Sequence, residues 1–291
     1  MSFELHHPAT IAEAVALAGR LAPGARFVAG GTDLVIQINR KKTAPAHLID
    51  LGRLPGLAGI AVTADGYELG PLTTYRTVER HPAFQGPLMA LVEAAGVVGG
   101  HQVRNIATVG GNLVNASPAA DFVPPLLALD ATLVISGSTG SRLVPLRDFI
   151  LGPGATALAA GEMITAIRFA RLPAGSATAF LKEGRRRAME ISVVCVAACL
   201  TLDGAGVRCV SARLALGAVG PKTLRAAAAE AALAGRIADQ AGFRAAGILA
   251  ADACAPISDV RASAEYRRHL VAVLVERALL RCMERISGGG Q

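Results

Sequence analysis

The sequence contains no tryptophan, and aromatic residues make up only 4% of it. A platform of rings for stacking nucleic-acid bases is therefore not on offer, although a net charge of +7 permits contact with polyanions. Lysine is scarce as well, occurring only at 41, 42, 182 and 222, so arginine carries the positive charge. The basic residues are dispersed except in "NRKK" (39–42) and "GRRRA" (184–188), and neither run is interleaved with aromatics. A solvated face or a docking surface for an acidic partner is the reading of those runs, and no nucleic-acid partner is expected. There is no Cys-x-x-Cys pair. The five cysteines (195, 199, 209, 254 and 282) are an odd number, which argues against a disulfide framework, an iron–sulfur ligand set or a zinc site. Cys195 and Cys199 lie in the apolar run "VVCVAACL" and read as small buried hydrophobes. The six histidines show no H-x-x-x-H or H-E-x-x-H spacing, so no metal site is expected. Runs such as "LVIQIN" and "ISVVCVAACLTL" are too short to cross a bilayer. No basic segment followed by an apolar stretch opens the chain, and a cytoplasmic protein without a membrane span is expected.

What remains is a globular chain of 291 residues with 52% hydrophobic content and 32 glycines, long enough for two or three domains. "ATIAEAVALAGRLA" (9–22) has helical apolar spacing with Thr10 as its N-cap. "ARFVAGGTDLVIQINRKK" reads strand, glycine turn, helix, and "IAVTADGYELG" (60–70) reads as a hairpin. "QVRNIATVGGNLVN" reads as extended and turn-rich. After it, "DFVPPLLALDATLVISGSTGSRLVPLRDFI" runs helix, strand, turn, strand. The Pro- and Gly-bearing "RLPAGSATAF" (171–180) reads as a boundary. Beyond it come a hairpin, a third strand and an alanine-rich helical tail. Its last helix shows apolar residues at 270, 273, 274, 275, 279 and 280.

Two double-glycine stretches stand out. In "VAGGTDLV", Gly30 and Gly31 can take backbone angles closed to other residues, so that successive N–H groups converge on an anion. Thr32 or Asp33 can cap the helix that follows. This is neither a P-loop, since no Gly-Lys-Ser/Thr follows, nor a Rossmann fingerprint, since G-x-G-x-x-G is absent. In "TVGGNLVNASPAAD" (108–121), Gly110 and Gly111 repeat the pair, flanked by Thr108 and Asn112. Ser117-Pro118 reads as a helix start, with Asp121 on its first turn. Two such loops suit a ligand with two phosphates, such as a dinucleotide held at its pyrophosphate.

"AGGTDL" (29–34), "VRNIATVGGNLVNASPAAD" (103–121) and "FLKEGRRRAMEISVV" (180–194), the last with the pattern K-x-G-x-R-x-x-x-x-I-S, together resemble the flavin-binding medium subunit of the molybdenum hydroxylases. That family includes the xanthine dehydrogenases and the aerobic carbon monoxide dehydrogenases. The resemblance implies an α+β chain: a two-subdomain FAD-binding fold of the vanillyl-alcohol oxidase type (1–55 and 56–173), then a C-terminal α+β domain (176–286) with a three-stranded sheet and helices, of the carbon monoxide dehydrogenase flavoprotein type. It implies non-covalent FAD, with the pyrophosphate held by backbone N–H groups of Ala29, Gly30, Gly31, Thr32, Asp33 and Leu34, and of Thr108, Val109, Gly110, Gly111 and Asn112. It also implies flavin contacts at Asp121, Ile164, Lys182 and Ile191, with Lys182 as a cation favouring reduced anionic flavin. A β-branched residue at Gly111 is accordingly expected to abolish binding, and Lys182→Ala to change the flavin's potential but spare its content.

The implied role is redox relay. Substrate is oxidised on a large molybdenum-cofactor subunit, and electrons pass through a small subunit with 2Fe–2S clusters to this FAD and on to NAD or oxygen. No residue of this chain is assigned as catalytic or metal-binding. Two alternatives share the fold: a self-contained FAD-dependent oxidase or reductase, and an assembly subunit that has lost FAD. Arg104 is expected to brace the second loop, and His101 has no evident partner.

Overall fold

The computed structural model describes residues 2–186 and 189–288. The chain opens with β1 (Glu4–His6), α1 (Ile11–Arg20), β2 (Ala25–Val28), α2 (Leu34–Asn39) and β3 (His47–Asp50). The three strands form a parallel sheet in the order β1-β3-β2. Thr10 caps α1 as the sequence suggests: its hydroxyl accepts from the Glu13 N–H at 3.1 Å, and the Glu13 carboxylate returns to the Ala9 N–H at 2.8 Å. Ala14, Val15 and Ala18 turn inward onto Ile49, Leu51, Leu54, Leu57 and Met163, a small core of its own.

Next come β4 (Ile60–Val62), β5 (Gly66–Leu69), α3 (Tyr75–Arg80), α4 (Met89–Val97), α5 (His101–Ile106), α6 (Val109–Asn115), α7 (Val123–Ala128), β6 (Thr132–Gly137), β7 (Gly140–Pro145), α8 (Leu146–Phe149), β8 (Ile150–Gly152), β9 (Ala155–Thr156) and β10 (Met163–Ala170). Strands β4, β5, β10, β6 and β7 lie side by side in that order as an antiparallel sheet. The expected hairpin at 60–70 is β4–β5. Gly66 is required there, because a Cβ would stand 2.2 Å from the Phe169 carbonyl oxygen. The stretch "QVRNIATVGGNLVN" is not extended: it forms α5 and α6, joined at Ala107–Thr108. The helix after it begins at Val123, with Pro124 and Pro125 in its first turn. Ser117-Pro118 makes a separate turn, closed by the Ala120 N–H on the Ser117 carbonyl at 3.0 Å. Asp121 therefore precedes the helix and is not a first-turn residue.

The last part is an antiparallel sheet of β11 (Ser176–Glu183), β12 (Val194–Leu202), β13 (Cys209–Gly217) and the two-residue β14 (Leu224–Arg225), followed by α9 (Ala227–Leu233), α10 (Gln240–Asp252) and α11 (Ala264–Gly288). The expected three-stranded sheet thus gains a short fourth strand. All nine residues of β12 are buried, and eight of them are apolar, Thr201 being the exception. Cys195, Ala197 and Cys199 face the core of the middle region, while Val194, Val196, Ala198 and Leu200 belong to the core under α11. All five cysteines are unpaired and buried, as small hydrophobes. Glu93 on α4 clasps the two regions, accepting from the Phe180 N–H and pairing with Arg281 and Arg285 of α11. Among the described residues, no helix is long and apolar enough to cross a membrane.

Candidate functional site

The first glycine stretch, Ala29 to Leu34, turns the chain from β2 into α2. Gly31 sits at φ +69°, in the left-handed region that favours glycine. Gly30 is constrained by contact instead: a Cβ there would lie 1.9 Å from the Ile106 carbonyl oxygen, so the turn presses against the segment linking α5 and α6. Among the described residues, the backbone N–H groups of Gly30, Gly31, Thr32, Asp33 and Leu34 donate to no protein group. Five consecutive unpartnered donors at a turn entering a helix are what an anion requires.

The second stretch is built differently. The Val109 N–H donates to the Thr73 carbonyl at 3.0 Å, Gly110 to Pro71 at 2.7 Å and Asn112 to Thr108 at 3.1 Å. Thr108 caps α6 by accepting the Gly111 N–H at 3.1 Å. Neither Gly110 nor Gly111 has positive φ; both are helical. The expectation of a second nest, with special angles at Gly111, is therefore corrected. Gly110 is glycine because a Cβ would meet Pro71 Cβ at 2.6 Å, and a Cβ on Gly111 would meet only the Thr108 hydroxyl at 2.9 Å. The two stretches do come together: Gln37 of α2 donates to Asn115 of α6 at 3.3 Å, beside the Gly30–Ile106 contact. Arg104, expected to brace the second loop, finds its partners elsewhere, on α3 and at the start of α5. It is buried, pairs with Glu79 at 3.4 Å, and shares a 3.0 Å hydrogen bond with His101, which supplies the partner His101 lacked in the sequence.

Among the described residues, three buried polar atoms in this region have no hydrogen-bond partner: the Tyr75 hydroxyl, Asn112 Oδ1 and Arg104 Nε, the last only 3.4 Å from Glu79. Tyr75 is only 1% exposed and packs edge-on against Phe122. Burial, and then the carboxylates of Asp121 and Asp33, push its phenol well above the ordinary tyrosine range. Tyr75 thus stands within electrostatic reach of both Asp33 on the first loop and Asp121. Nothing in its sequence context marked it.

Asp121 and Lys182 meet. Lys182 Nζ donates to Asp121 Oδ2 at 2.6 Å and to the Glu190 carbonyl at 2.8 Å. The other Asp121 oxygen accepts a short hydrogen bond from Ser192. Burial raises the Asp121 carboxyl above its ordinary value, and the Lys182 ammonium and Ser192 hydroxyl hold it back. Nothing in the sequence around Ser192 marks it; its role is visible only once β11 and the turn before β12 are brought beside Asp121.

Ile191, between Glu190 and Ser192, is 51% exposed and is not a core residue. Ile164 is 4% exposed, beside a β-bulge opposite β6, packed in the middle core. No hydrogen bond among the described residues ties it to either glycine stretch. A cavity of about 430 Å³ borders Lys182, Gly184, Arg185, Arg186, Met189 and Glu190. Arg186 pairs with Glu190 at 3.0 Å and Arg185 donates to the Val260 carbonyl at 3.2 Å. Arg187, the third of the run, lies outside the described residues.

Residues 1–172 match the family described as the FAD binding domain in molybdopterin dehydrogenase, and residues 179–282 the CO dehydrogenase flavoprotein C-terminal domain. The chain belongs to the FAD-binding medium subunits of the molybdenum hydroxylases. Its relatives include the carbon monoxide dehydrogenase medium chain of Hydrogenophaga pseudoflava, 32% identical over 95% of this chain and 96% of that one. Another is the nicotinate dehydrogenase FAD-subunit of Eubacterium barkeri, 39% identical over 70% of this chain and 71% of that one. The solved structure of carbon monoxide dehydrogenase from Hydrogenophaga pseudoflava superposes with a TM-score of 0.94 at 34% identity, covering 98% of each chain. This medium subunit is therefore a component of an oxidoreductase, and its cofactor is FAD. Its residues fit that group. A diphosphate needs several donors, which the Gly30–Leu34 backbone supplies, although the array also carries the Asp33 carboxylate at the N-cap of α2. The hydroxyl of Tyr75 and the amide oxygen of Asn112 are polar groups kept buried without protein partners, as expected where a bound group completes them.

Proposed function

We propose that this chain relays electrons within a three-subunit complex. They arrive from the 2Fe–2S clusters of a small partner subunit, having left the substrate at the molybdenum cofactor of a large one, and depart to an acceptor such as NAD or oxygen. FAD supplies the redox chemistry when bound, and the protein's part is to bind, orient and tune it. The single observation that carries the reading is the run of five unpartnered backbone donors, Gly30 to Leu34, together with the unpartnered Tyr75 hydroxyl and Asn112 Oδ1.

In this reading the Gly30–Leu34 array holds the pyrophosphate, with Ala29 leading into it. The second stretch contributes through the Thr108 N–H, which donates to no group among the described residues, and the Asn112 side chain, and not through the N–H groups of Val109, Gly110, Gly111 or Asn112. Tyr75 and Asn112 hydrogen-bond the cofactor. The Asp121–Lys182–Ser192 group sets the local charge: Lys182 has one of its three donors left over, and its positive charge is largely offset by Asp121. Ile164 and the exposed Ile191 supply apolar contact. No covalent link is invoked, because every cysteine is buried in a core. The chain acts in the cytoplasm.

The test is reconstitution. The chain alone, loaded with FAD, is expected to show no turnover with any reducing substrate of this enzyme class, and to have its flavin reduced once the iron–sulfur and molybdenum subunits are added with substrate. Steady turnover by the isolated chain overturns the relay in favour of a self-contained oxidase. Failure to take up FAD even in the full complex favours an assembly subunit.

A further inference from the structure

Two histidines that are 41 residues apart in sequence meet across the parallel sheet. Glu4 and His6 alternate with Leu5 on β1 and so project to one face. β3 places His47 in register opposite Glu4. The result is a triangle of ligand atoms: His6 Nε2 to His47 Nδ1 is 3.2 Å, His47 Nδ1 to Glu4 Oε2 is 3.4 Å, and His6 Nε2 to Glu4 Oε2 is 3.9 Å. With metal–nitrogen bonds of about 2.0–2.1 Å, neighbouring ligand atoms of a tetrahedral zinc site stand roughly 3.3 Å apart. The three atoms therefore outline one face of such a tetrahedron, with the fourth corner open to water.

We propose that Glu4, His6 and His47 form a binding site for a divalent transition metal of the zinc class. Two imidazoles and one carboxylate are a donor set that zinc accepts and that hard cations such as magnesium do not prefer. The two rings are partly buried, with side-chain exposures of 17% and 25%, so both ring positions are fixed before a metal arrives. Only the Glu4 carboxylate, 67% exposed, has to settle into place. Strand pairing brings the three side chains to one face, and the Glu4 carboxylate oxygen then lies within 3.9 Å of both nitrogens. The site is set apart from the flavin region: His47 is the first residue of β3, whereas the first glycine stretch leaves the far end of the neighbouring β2. Its effect is to rivet the three-residue edge strand β1 to β3, closing a loop that contains α1, β2 and α2. Spacing rules miss it because its members lie on neighbouring strands and not on one helix or turn.

The probe is cobalt(II), whose four-coordinate complexes absorb to the red of flavin. The full FAD-loaded chain is stripped with a chelator and titrated with cobalt(II), then with zinc. The expected result is one equivalent of cobalt with four-coordinate bands, displaced by one equivalent of zinc, and a melting temperature that rises with zinc and falls back with chelator. H6N and H47N should each weaken binding by about a hundredfold or more and E4Q by about tenfold, since even an outer-shell loss costs metal sites about 10–100-fold. H7N, a nearby histidine outside the triangle, should leave binding unchanged. Should H47N fail to fold, E4Q, on an exposed side chain, carries the same comparison. No saturable four-coordinate cobalt in the wild-type chain overturns the site. So does binding that H6N and E4Q leave within about twofold of wild type.

Discussion

The two double-glycine stretches look alike in the sequence and differ in the structure. In the first, the backbone donors of Gly30 to Leu34 are left without protein partners, and one glycine sits at positive φ. In the second, the donors of Val109 to Asn112 are all used within the chain, and both glycines are helical. Glycine serves conformation and ligand access in the one and close packing in the other. A paired-glycine motif thus marks where backbone comes near something. It does not say whether that neighbour is a ligand or the protein itself.

The sharpest way to break the comparison is to add one methyl group to each stretch. Gly30→Ala places a Cβ 1.9 Å from a backbone oxygen that cannot rotate away, so the stretches must part. Loss of bound flavin and destabilisation on the order of 3–4 kcal/mol are expected, read from the ratio of visible to ultraviolet absorbance and from denaturant midpoints. Gly111→Ala meets only a side-chain hydroxyl, at 2.9 Å. A gain of about 0.5–1 kcal/mol in helix propensity there offsets a Thr108 cap worth about 1 kcal/mol. Stability near wild type with full flavin is expected, and flavin loss in G111A would restore the second stretch as a nest.

A second prediction concerns Lys182. Its removal was expected to alter the flavin's potential and spare its content. The structure adds a cost, because Lys182→Met strands the buried Asp121. Destabilisation of about 3–5 kcal/mol is expected, with most of it recovered in the Asp121→Asn/Lys182→Met double variant. Absence of recovery in that double-mutant cycle would show that the two residues act independently. Tyr75→Phe is the gentler test. Its hydroxyl has no protein partner, so the flavin-free protein should be as stable as wild type or more so. FAD affinity should fall by about fivefold, the loss of one hydrogen bond of ~1 kcal/mol. A destabilised flavin-free protein with unchanged FAD affinity would place the hydroxyl in a purely structural role.

Much of this was legible in the sequence. The cap at Thr10, the hairpin of β4 and β5, the buried run of β12 and the alternation of helix and strand follow from residue type and spacing. The "VGGN" helix did not, because two glycines and two asparagines argue locally for a turn; contact with Pro71 and the Thr108 cap override that preference. Asp121 and Lys182 were each picked out, but 61 residues separate them and nothing local revealed that they pair. Tyr75 and Ser192 were missed for the same reason: their significance lies in what surrounds them.

The smallest expected effect lies in an ion pair just before β10. Arg142 grips Glu162 through two hydrogen bonds at 2.8 and 2.7 Å, and the Ala159 N–H adds a third at 2.7 Å. The Arg142 hydrogen bond, with the Ala159 N–H, holds the Glu162 carboxyl down at about 2. A lowered carboxylate stabilises the fold fully above its ordinary value near 4.5 and ceases to do so as pH falls toward 2. Glu162→Gln should therefore cost stability at neutral pH and flatten the loss between pH 4.5 and 2, without changing flavin content. An unchanged acid limb in urea midpoints measured across that range would contradict this.

The central claim is that Gly30 to Leu34, and not Val109 to Asn112, present their backbone donors to the cofactor. Amide hydrogen exchange resolved to single residues, with and without FAD, tests it directly. The account predicts that Gly30 to Leu34 exchange freely in the flavin-free chain and become protected when FAD binds, while Val109 to Asn112 are protected in both states. Protection gained at Val109 to Asn112 with none at Gly30 to Leu34 would contradict it.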